Sequence, residues 1–145
     1  MRTPKHPPYR QRYNDLHFAH TVKRTPSAVA DNLCPTPNFP KVETSNGLTQ
    51  YIVNFITWSG YRATRINTMG RMVAGKWIQS TTRKGSADIS STIKGRSVMF
   101  EIKVGRDKPR PEQLEEQRRE IAAGGLYFFV RTPEEFLTIF DALIK

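Results

Sequence analysis

The chain has 145 residues and a formal net charge of +10 at pH 7, so it suits one hydrophobic core and is strongly basic for its size. Such a charge favours a polyanionic partner, and nucleic acid is favoured over a membrane because no long apolar stretch or basic amphipathic helix is present. The single Cys34 excludes an internal disulfide, and the three histidines form no zinc motif with it. Because the N-terminus lacks the apolar segment of a signal peptide, we expect a cytoplasmic protein of a prokaryotic or virus-infected cell that is not secreted.

Residues 1–40 differ in composition from residues 41–145. They hold seven of the ten prolines and all three histidines, and their basic residues outnumber the acidic ones. This composition predicts a basic, proline-rich N-terminal arm in an extended conformation, followed by one folded domain. Two roles stay open for its rings, which either stack on bases or pack onto the domain, and the alternative is a disordered or loosely docked tail. These residues are Tyr9, Tyr13, His17 and Phe18.

A helix is predicted next, capped by Thr44 or Ser45 and ending at Ser59-Gly60. Residues 61–67 are predicted to form the first strand, and residues 77–80 are predicted to extend the same sheet. The buried stripe of the helix is predicted to be Leu48, Ile52, Phe55 and Ile56.

Between these strands, residues 70–76 match the glycine and lysine spacing of a phosphate-binding P-loop. Trp77 stands where that motif requires Ser or Thr, so no hydroxyl is available for the magnesium of a nucleotide, and ATP binding is not favoured. We expect instead a loop that crosses near DNA, with Arg71 and Lys76 directed toward phosphates.

Residues 87–93 and 97–104 predict a β-hairpin. If its turn is the two residues Lys94-Gly95, Asp88 lies directly opposite Glu101, with Cβ atoms about 5 Å apart. A three-residue turn would instead place Glu101 on the face opposite to Asp88. The interpretation of this pair therefore depends on the turn.

In the first register, Asp88, Glu101 and Lys103 share the polar face of the hairpin. Two close carboxylates repel each other, and a hard divalent cation such as Mg²⁺ relieves this by taking oxygen ligands from both. A cation with few protein ligands keeps waters that can supply a nucleophile, while Lys103 neutralises a phosphate or orients the attacking water. The alternative is a cross-strand salt bridge on a solvated face.

After the hairpin, Pro111 begins a predicted helix with an inner face of Leu114, Arg118 and Ile121. Residues 126–130 are continuously apolar, as in a strand buried on both faces, and a last helix follows the capping box that starts at Thr132. An α/β domain with a mixed sheet of about four strands between helices is therefore predicted.

Four segments agree in order and spacing with one nuclease superfamily. They are Lys84-Gly85-Ser86-Ala87-Asp88-Ile89, then Met99-Phe100-Glu101-Ile102-Lys103, then Pro109-Arg110-Pro111-Glu112-Gln113, then Gly124-Gly125 before Leu126-Tyr127-Phe128-Phe129-Val130. Over roughly residues 44–136 the chain resembles the PD-(D/E)XK nucleases, and among them the virus-type replication-repair (VRR-NUC) nucleases and related phage proteins. Ala87 replaces the proline that gives the superfamily its name.

The resemblance implies a restriction-endonuclease-like core with the element order αβββαβ. It implies that Asp88 and Glu101 bind Mg²⁺ or Mn²⁺, with a backbone contact from Ile102, and that Lys103 is catalytic. It also implies that Gln113 completes the site, although a glutamine in the first turn of a helix often only meets water. Many relatives carry a glutamate in the first helix, and here Asn46, Thr49 and Gln50 occupy that stretch, which favours a one-metal centre.

The expected activity is that of a metal-dependent DNA endonuclease in phage or prokaryotic replication and repair. Selectivity for branched, flap or four-way junction DNA is implied only by the family, and a four-way junction would call for a homodimer. Two alternatives stay open, namely a noncatalytic nucleic-acid-binding module and a nuclease that acts on RNA. The basic residues expected to contact phosphates near the site are Arg83, Lys84, Arg106, Lys108 and Arg110.

Overall fold

A computed structural model of the chain describes residues 6–27, 37–66 and 70–145. In these ranges we number the elements in chain order. They are α1 (Pro8–Arg24), α2 (Ser45–Trp58), β1 (Arg62–Arg65), β2 (Arg71–Val73), β3 (Lys76–Ile78), β4 (Ile89–Ile93), β5 (Arg96–Ile102), α3 (Pro111–Ala122), β6 (Leu126–Val130) and α4 (Pro133–Ile144). None of the helices described is both long enough and apolar enough to span a bilayer.

The main sheet has four strands in the order β1-β4-β5-β6. The pairs β1–β4 and β4–β5 are antiparallel, whereas β5 and β6 are parallel. A parallel pair needs a crossover connection, which α3 provides between β5 and β6. The prediction of an α/β fold with a mixed four-stranded sheet is therefore confirmed.

The β4–β5 hairpin has the two-residue turn on which the carboxylate pair depends. Lys94 and Gly95 have φ angles of 51° and 77°, as the two central residues of a type I′ turn do. Ile93 pairs with Arg96, and the register continues to Ile89 opposite Phe100. The predicted register is therefore confirmed.

One face of the main sheet is apolar and is covered by α2 and α4. Phe100 of β5 is completely buried, and its ring meets that of Phe136 edge-on at a centroid distance of 5.6 Å. Phe55 of α2 packs against the same Phe136 ring at 5.4 Å. Thr44 caps α2 by accepting a hydrogen bond from the backbone N–H of Gly47, as predicted. These contacts fix the sheet that carries the site.

Helix α3 lies over the opposite face, with its polar side inward. Leu114 and Ile121 are 38% and 54% exposed, so the predicted inner face of Leu114, Arg118 and Ile121 is wrong. The reason is that polar side chains of the helix form hydrogen bonds with the strands beneath it. These hydrogen bonds join Gln113 to Glu101, Ser97 to Glu120, and Gln117 to the carbonyl of Tyr127.

The N-terminal segment is helical over Pro8–Arg24, so the predicted extended conformation is wrong there. Pro8 occupies the first turn, where a helix tolerates proline. Tyr13 is 1% exposed, and its ring stacks on that of Tyr51 at 5.1 Å. Of the two roles left open for the rings in this segment, packing onto the domain is what Tyr13 does. The division of the chain near residue 40 stays a prediction.

Within the described residues, strands β2 and β3 pair with each other and not with the main sheet, so the prediction that residues 77–80 extend the main sheet is wrong. Ala74 and Gly75 have φ angles of 49° and 74° and form a tight hairpin turn. A P-loop joins a strand to a helix and cradles phosphates, whereas this glycine-containing run joins two antiparallel strands. We refer to β2, β3 and their turn as the small hairpin.

Candidate active site

The first carboxylate of the site is held at the start of β4. The carbonyl of Asp88 accepts a hydrogen bond from the N–H of Ile66 at 2.7 Å. Its side-chain Oδ2 accepts another from the N–H of Ile102 at 2.9 Å, across the β4–β5 pair. Asp88 is thus fixed from both sides and faces the strand segment that carries Glu101.

Glu101 is only 4% exposed, and its two carboxylate oxygens have different surroundings. Oε1 accepts hydrogen bonds from Gln113 Nε2 at 2.5 Å and faces Lys103 Nζ at 3.1 Å. Oε2 is buried and has no hydrogen-bond partner. Because an unpaired buried carboxylate oxygen is costly, this atom is the natural place for a ligand of positive charge.

Lys103 is 2% exposed and lies between two carboxylates. Its Nζ is 3.1 Å from Glu101 Oε1 and 3.3 Å from Asp107 Oδ2. The carbonyl of Lys103 accepts a hydrogen bond of 3.4 Å from Arg131 Nη1, which also bonds the carbonyl of Gly105. A buried ammonium is stable only when it is paired in this way.

Gln113 connects helix α3 to the carboxylates. Its Oε1 accepts a hydrogen bond from the N–H of Arg110 at 2.9 Å, so its Nε2 donor is turned toward Glu101. The side chain is 9% exposed and does not simply meet water, which was the alternative interpretation. The first turn of α3 therefore sets the orientation of the Glu101 carboxylate.

The local electrostatics disfavour charge on Glu101 in the absence of a cation. Burial raises the pKa of this carboxyl and the negative charge of Asp88 raises it further, whereas Lys103 and the backbone N–H of Asp88 act in the opposite direction. Burial likewise raises the pKa of the Tyr127 hydroxyl, with further contributions from Glu101 and Asp88. This hydroxyl donates to the carbonyl of Gly85 at 3.4 Å.

These residues line an open cleft of about 670 Å³. Asp88, Glu101, Ile102, Lys103 and Gln113 all line it. Further lining residues come from the N-terminus of α2, the small hairpin, the segment that leads to β4 and the start of α3. They are Ser45, Gly70, Trp77, Arg83, Lys84 and Arg110.

Of the basic residues expected to bind phosphate, Arg83, Lys84 and Arg110 line the cleft. Arg106 and Lys108 are exposed in the loop after Lys103 and are not among the cleft-lining residues. Lys76 is exposed on the small hairpin. The predicted contact of Arg71 with phosphate concerns a side chain outside the described part of the structure.

Helix α2 contributes no carboxylate to the cleft. Ser45 lines it, whereas Asn46 accepts a hydrogen bond from Arg65 at 2.6 Å and Thr49 donates to the carbonyl of Ser45. Among the residues that the structure describes, no cluster of three or more His, Cys, Asp or Glu could hold a metal ion. Four carboxylates line the cleft, those of Asp88, Glu101, Asp107 and Glu112, and of these Asp107 is paired with Lys103.

Three contributors to the site were not predicted from the sequence. Asp107 pairs with Lys103, Tyr127 lies near both carboxylates, and Arg131 binds the carbonyl groups after β5. Asp107 is the one acidic residue in the basic loop from 105 to 110, and this was the available signal. No protein-family model matches the chain, and no curated protein matches it significantly.

Proposed function

We propose that the chain is an Mg²⁺- or Mn²⁺-dependent nuclease that hydrolyses phosphodiester bonds in DNA. The observation that carries this proposal is the buried, unpaired Oε2 of Glu101 in a cleft that also contains Asp88. Glu101 pairs with the buried Lys103, and the basic residues Arg83, Lys84 and Arg110 line the same cleft. A protein that only needed a surface salt bridge would have no reason to bury this group.

The donor set fits one hard divalent cation. Asp88 and Glu101 supply carboxylate oxygens, and Ile102 lines the same cleft, where its carbonyl is a further oxygen donor. When bound, such a cation lowers the pKa of a coordinated water and offsets charge that develops on the phosphate. With no carboxylate from α2, the cleft is suited to a one-metal centre.

Lys103 and Gln113 act on the groups that surround the reacting phosphate. Lys103 places its amino group in the cleft, where it stabilises negative charge on the phosphate or orients the attacking water. The amide of Gln113 donates a hydrogen bond to Glu101 Oε1, and Glu101 Oε2 is left without a hydrogen-bond partner. In the reaction a bond forms between the water oxygen and phosphorus, and the P–O bond to the leaving oxygen breaks. The attacking water gives up one proton, and the leaving oxygen gains one.

Substrate binding is proposed to follow the basic rim. Arg83, Lys84 and Arg110 all line the cleft. Contacts of this kind position the phosphodiester backbone and do not select a base sequence. Arg106 and Lys108 would extend this surface beyond the cleft.

Membership in the PD-(D/E)XK superfamily, close to the VRR-NUC nucleases, belongs to the same proposal. It is supported by the order α2-β1-β4-β5-α3-β6 and by Asp88, Glu101, Lys103 and Gln113 in one cleft. A restriction-endonuclease-like fold, action on branched DNA in phage or prokaryotic repair, a homodimer and a cytoplasmic location stay predictions.

A noncatalytic nucleic-acid-binding module is the second candidate. It is favoured by the absence of any metal-binding cluster of three acidic or histidine groups among the residues described. In that case Glu101 and Lys103 would be a buried ion pair and the basic rim alone would be functional. Salt-sensitive DNA binding without any metal binding or cleavage is the result that would favour this candidate.

The test uses the purified full chain with supercoiled plasmid, flap and four-way junction DNA and matched RNA substrates, in Mg²⁺, Mn²⁺ or EDTA. We expect metal-dependent nicking or cleavage by the wild type. Glu101→Gln and Lys103→Met should lower the cleavage rate by at least roughly 100-fold, as loss of catalytic groups commonly does.

Glu112→Gln is the matched control, because it removes the same charge from the side of the same cleft. It should cleave as the wild type does. Equal rates for the wild type, Glu101→Gln and Lys103→Met would overturn the proposal, and so would the absence of cleavage in both metals. If only RNA is cleaved, the proposed metal-dependent mechanism stands and the proposed substrate changes from DNA to RNA.

A further inference from the structure

The small hairpin has an unusual surface for so short an element. Apolar side chains are exposed on both of its faces and are not buried against the main sheet. The exposed fractions are 61% for Met72, 41% for Val73, 58% for Trp77 and 49% for Ile78. Exposed apolar residues that cluster in this way mark a binding surface more often than singly scattered ones do.

The register divides these side chains between two faces. Met72 pairs with Trp77 on one face, while Val73, which pairs with Lys76, lies on the other with Ile78. Trp77 lines the cleft together with Asp88 and Glu101, whereas Val73 and Ile78 do not line it. The two faces therefore have different surroundings, and only the Trp77 face is continuous with the candidate active site.

Gly70 keeps the indole in this place. A Cβ atom at Gly70 would lie 2.8 Å from two ring carbons of Trp77 and 2.6 Å from the carbonyl oxygen of Ile78. A residue with a side chain at position 70 would therefore clash with these atoms. The Trp77 ring thus rests against the backbone at the base of the hairpin, while more than half of the residue stays exposed.

We infer that Trp77, supported by Met72, stacks on an unpaired base of the nucleic acid whose phosphate enters the cleft; this inference rests on the proposed function. Stacking on an aromatic ring together with a basic groove is the common way to bind single strands. Lys84 and Arg110, which line the cleft together with Trp77, supply positive charge for the backbone.

The occupant is an unpaired base because stacking needs a free π face. In an intact duplex both faces of each base are covered by its neighbours, so the indole could reach only an end or a melted segment. The substrate class is therefore nucleic acid with a single-stranded portion adjoining the cut phosphate. A blunt duplex should gain little from Trp77.

Binding is measured in EDTA, which separates this inference from catalysis. The probes are a fluorescent single-stranded oligonucleotide, the same strand with consecutive abasic positions, and a blunt duplex. Trp77→Ala should raise Kd for the intact single strand roughly 5- to 100-fold, the range expected for one lost stack. The abasic strand should bind the wild type and Trp77→Ala equally, because its phosphates are unchanged.

Trp77→Phe should retain most of the affinity, and Ile78→Ala is the matched control on the opposite face. The fluorescence difference between the wild type and Trp77→Phe isolates the indole of Trp77 from that of Trp58. This difference signal should be quenched by the intact strand and not by the abasic strand.

The inference is overturned if Trp77→Ala and Ile78→Ala bind the single strand equally well. It is also overturned if Trp77→Ala abolishes self-association in sedimentation without changing oligonucleotide affinity, because the hairpin would then be a contact between copies of the chain. If Trp77→Ala cleaves and binds as the wild type does, the stacking inference fails and the proposed nuclease activity stands. If the wild type binds the intact strand through Trp77 but does not cleave, the proposed catalysis fails and the stacking inference stands.

Discussion

Gln113 Nε2 donates a 2.5 Å hydrogen bond to Glu101 Oε1, so the helix after the hairpin determines which oxygen of the carboxylate remains free. The same side chain is anchored by the N–H of Arg110, which leaves it little freedom. The site thus depends on two elements, the β5 strand and the first turn of α3. The proposed metal and the predictions below follow from this dependence.

Gln113→Ala is expected to weaken Mn²⁺ binding and slow cleavage by about 10- to 100-fold, the usual effect of losing a group that orients a metal ligand. Calorimetric Mn²⁺ titration and single-turnover cleavage measure the two effects. Gln117→Ala is the control, since Gln117 is one turn further along α3 and bonds only the carbonyl of Tyr127. Equal loss of metal affinity in both variants would indicate a general effect on the helix.

Metal binding should stabilise the folded chain, because the cation would offset the unpaired buried oxygen of Glu101. At a Mg²⁺ or Mn²⁺ concentration near 100 times Kd, the free energy of unfolding should rise by about 2.7 kcal/mol. Thermal melts with metal and with EDTA measure this shift, which Glu112→Gln should keep and Glu101→Gln should lose. An identical shift in Glu101→Gln would place the metal elsewhere.

Gly85 is expected to be the glycine most sensitive to substitution beside the site. Its φ angle is +85°, and an added Cβ would lie 2.3 Å from the carbonyl oxygen of Glu112. Gly60→Ala is the control, because Gly60 has a φ of +90° with no atom near its added Cβ. Gly60→Ala should cost about 1–2 kcal/mol of unfolding free energy from backbone strain alone. Gly85→Ala should cost more and should also slow cleavage, as denaturant melts and rate measurements would reveal.

The ion pair between Arg12 and Asp141 should make the docking of α1 depend on pH. The hydrogen bond from Arg12 and its charge hold the pKa of the Asp141 carboxyl below its usual value. The stabilisation is therefore present above the ordinary pKa of an aspartate and is lost as the pH falls through the lowered pKa.

Asp141→Asn should accordingly cost about 0.2–1 kcal/mol of unfolding free energy at neutral pH, since the two side chains are 40% and 45% exposed. This difference should vanish in strong acid. Asp15→Asn on α1 is the matched control, because Asp15 contacts only the neutral Gln11. A difference for Asp141→Asn that persists unchanged into acid would contradict the pairing.

The sequence predicted the β4–β5 hairpin and its register because local information is sufficient there. Lys94-Gly95 can adopt two positive φ angles, and the alternation of side chains selects one face for the core. It did not predict α1, because that helix is stabilised by distant partners such as Tyr51 for Tyr13. The high proline content of this segment suggested an extended conformation, but Pro8 lies in the first turn of α1, where a helix tolerates proline.

The candidate site shows the same division. Asp88 and Glu101 were predicted from the hairpin, since one turn type determines their relative position. The inward side of α3 was missed because apolar spacing normally marks the buried face, and here the buried face is polar. Asp107 was missed because only the folded loop brings it within 3.3 Å of Lys103.

Anomalous diffraction from crystals soaked in Mn²⁺ tests the central claim most directly, with Glu101→Gln crystals as the comparison. We predict an anomalous peak within bonding distance of the Asp88 carboxylate and Glu101 Oε2 in the wild type, and none at that position in Glu101→Gln. A wild-type cleft with no peak at a saturating Mn²⁺ concentration, or a peak that survives in Glu101→Gln, would contradict the account.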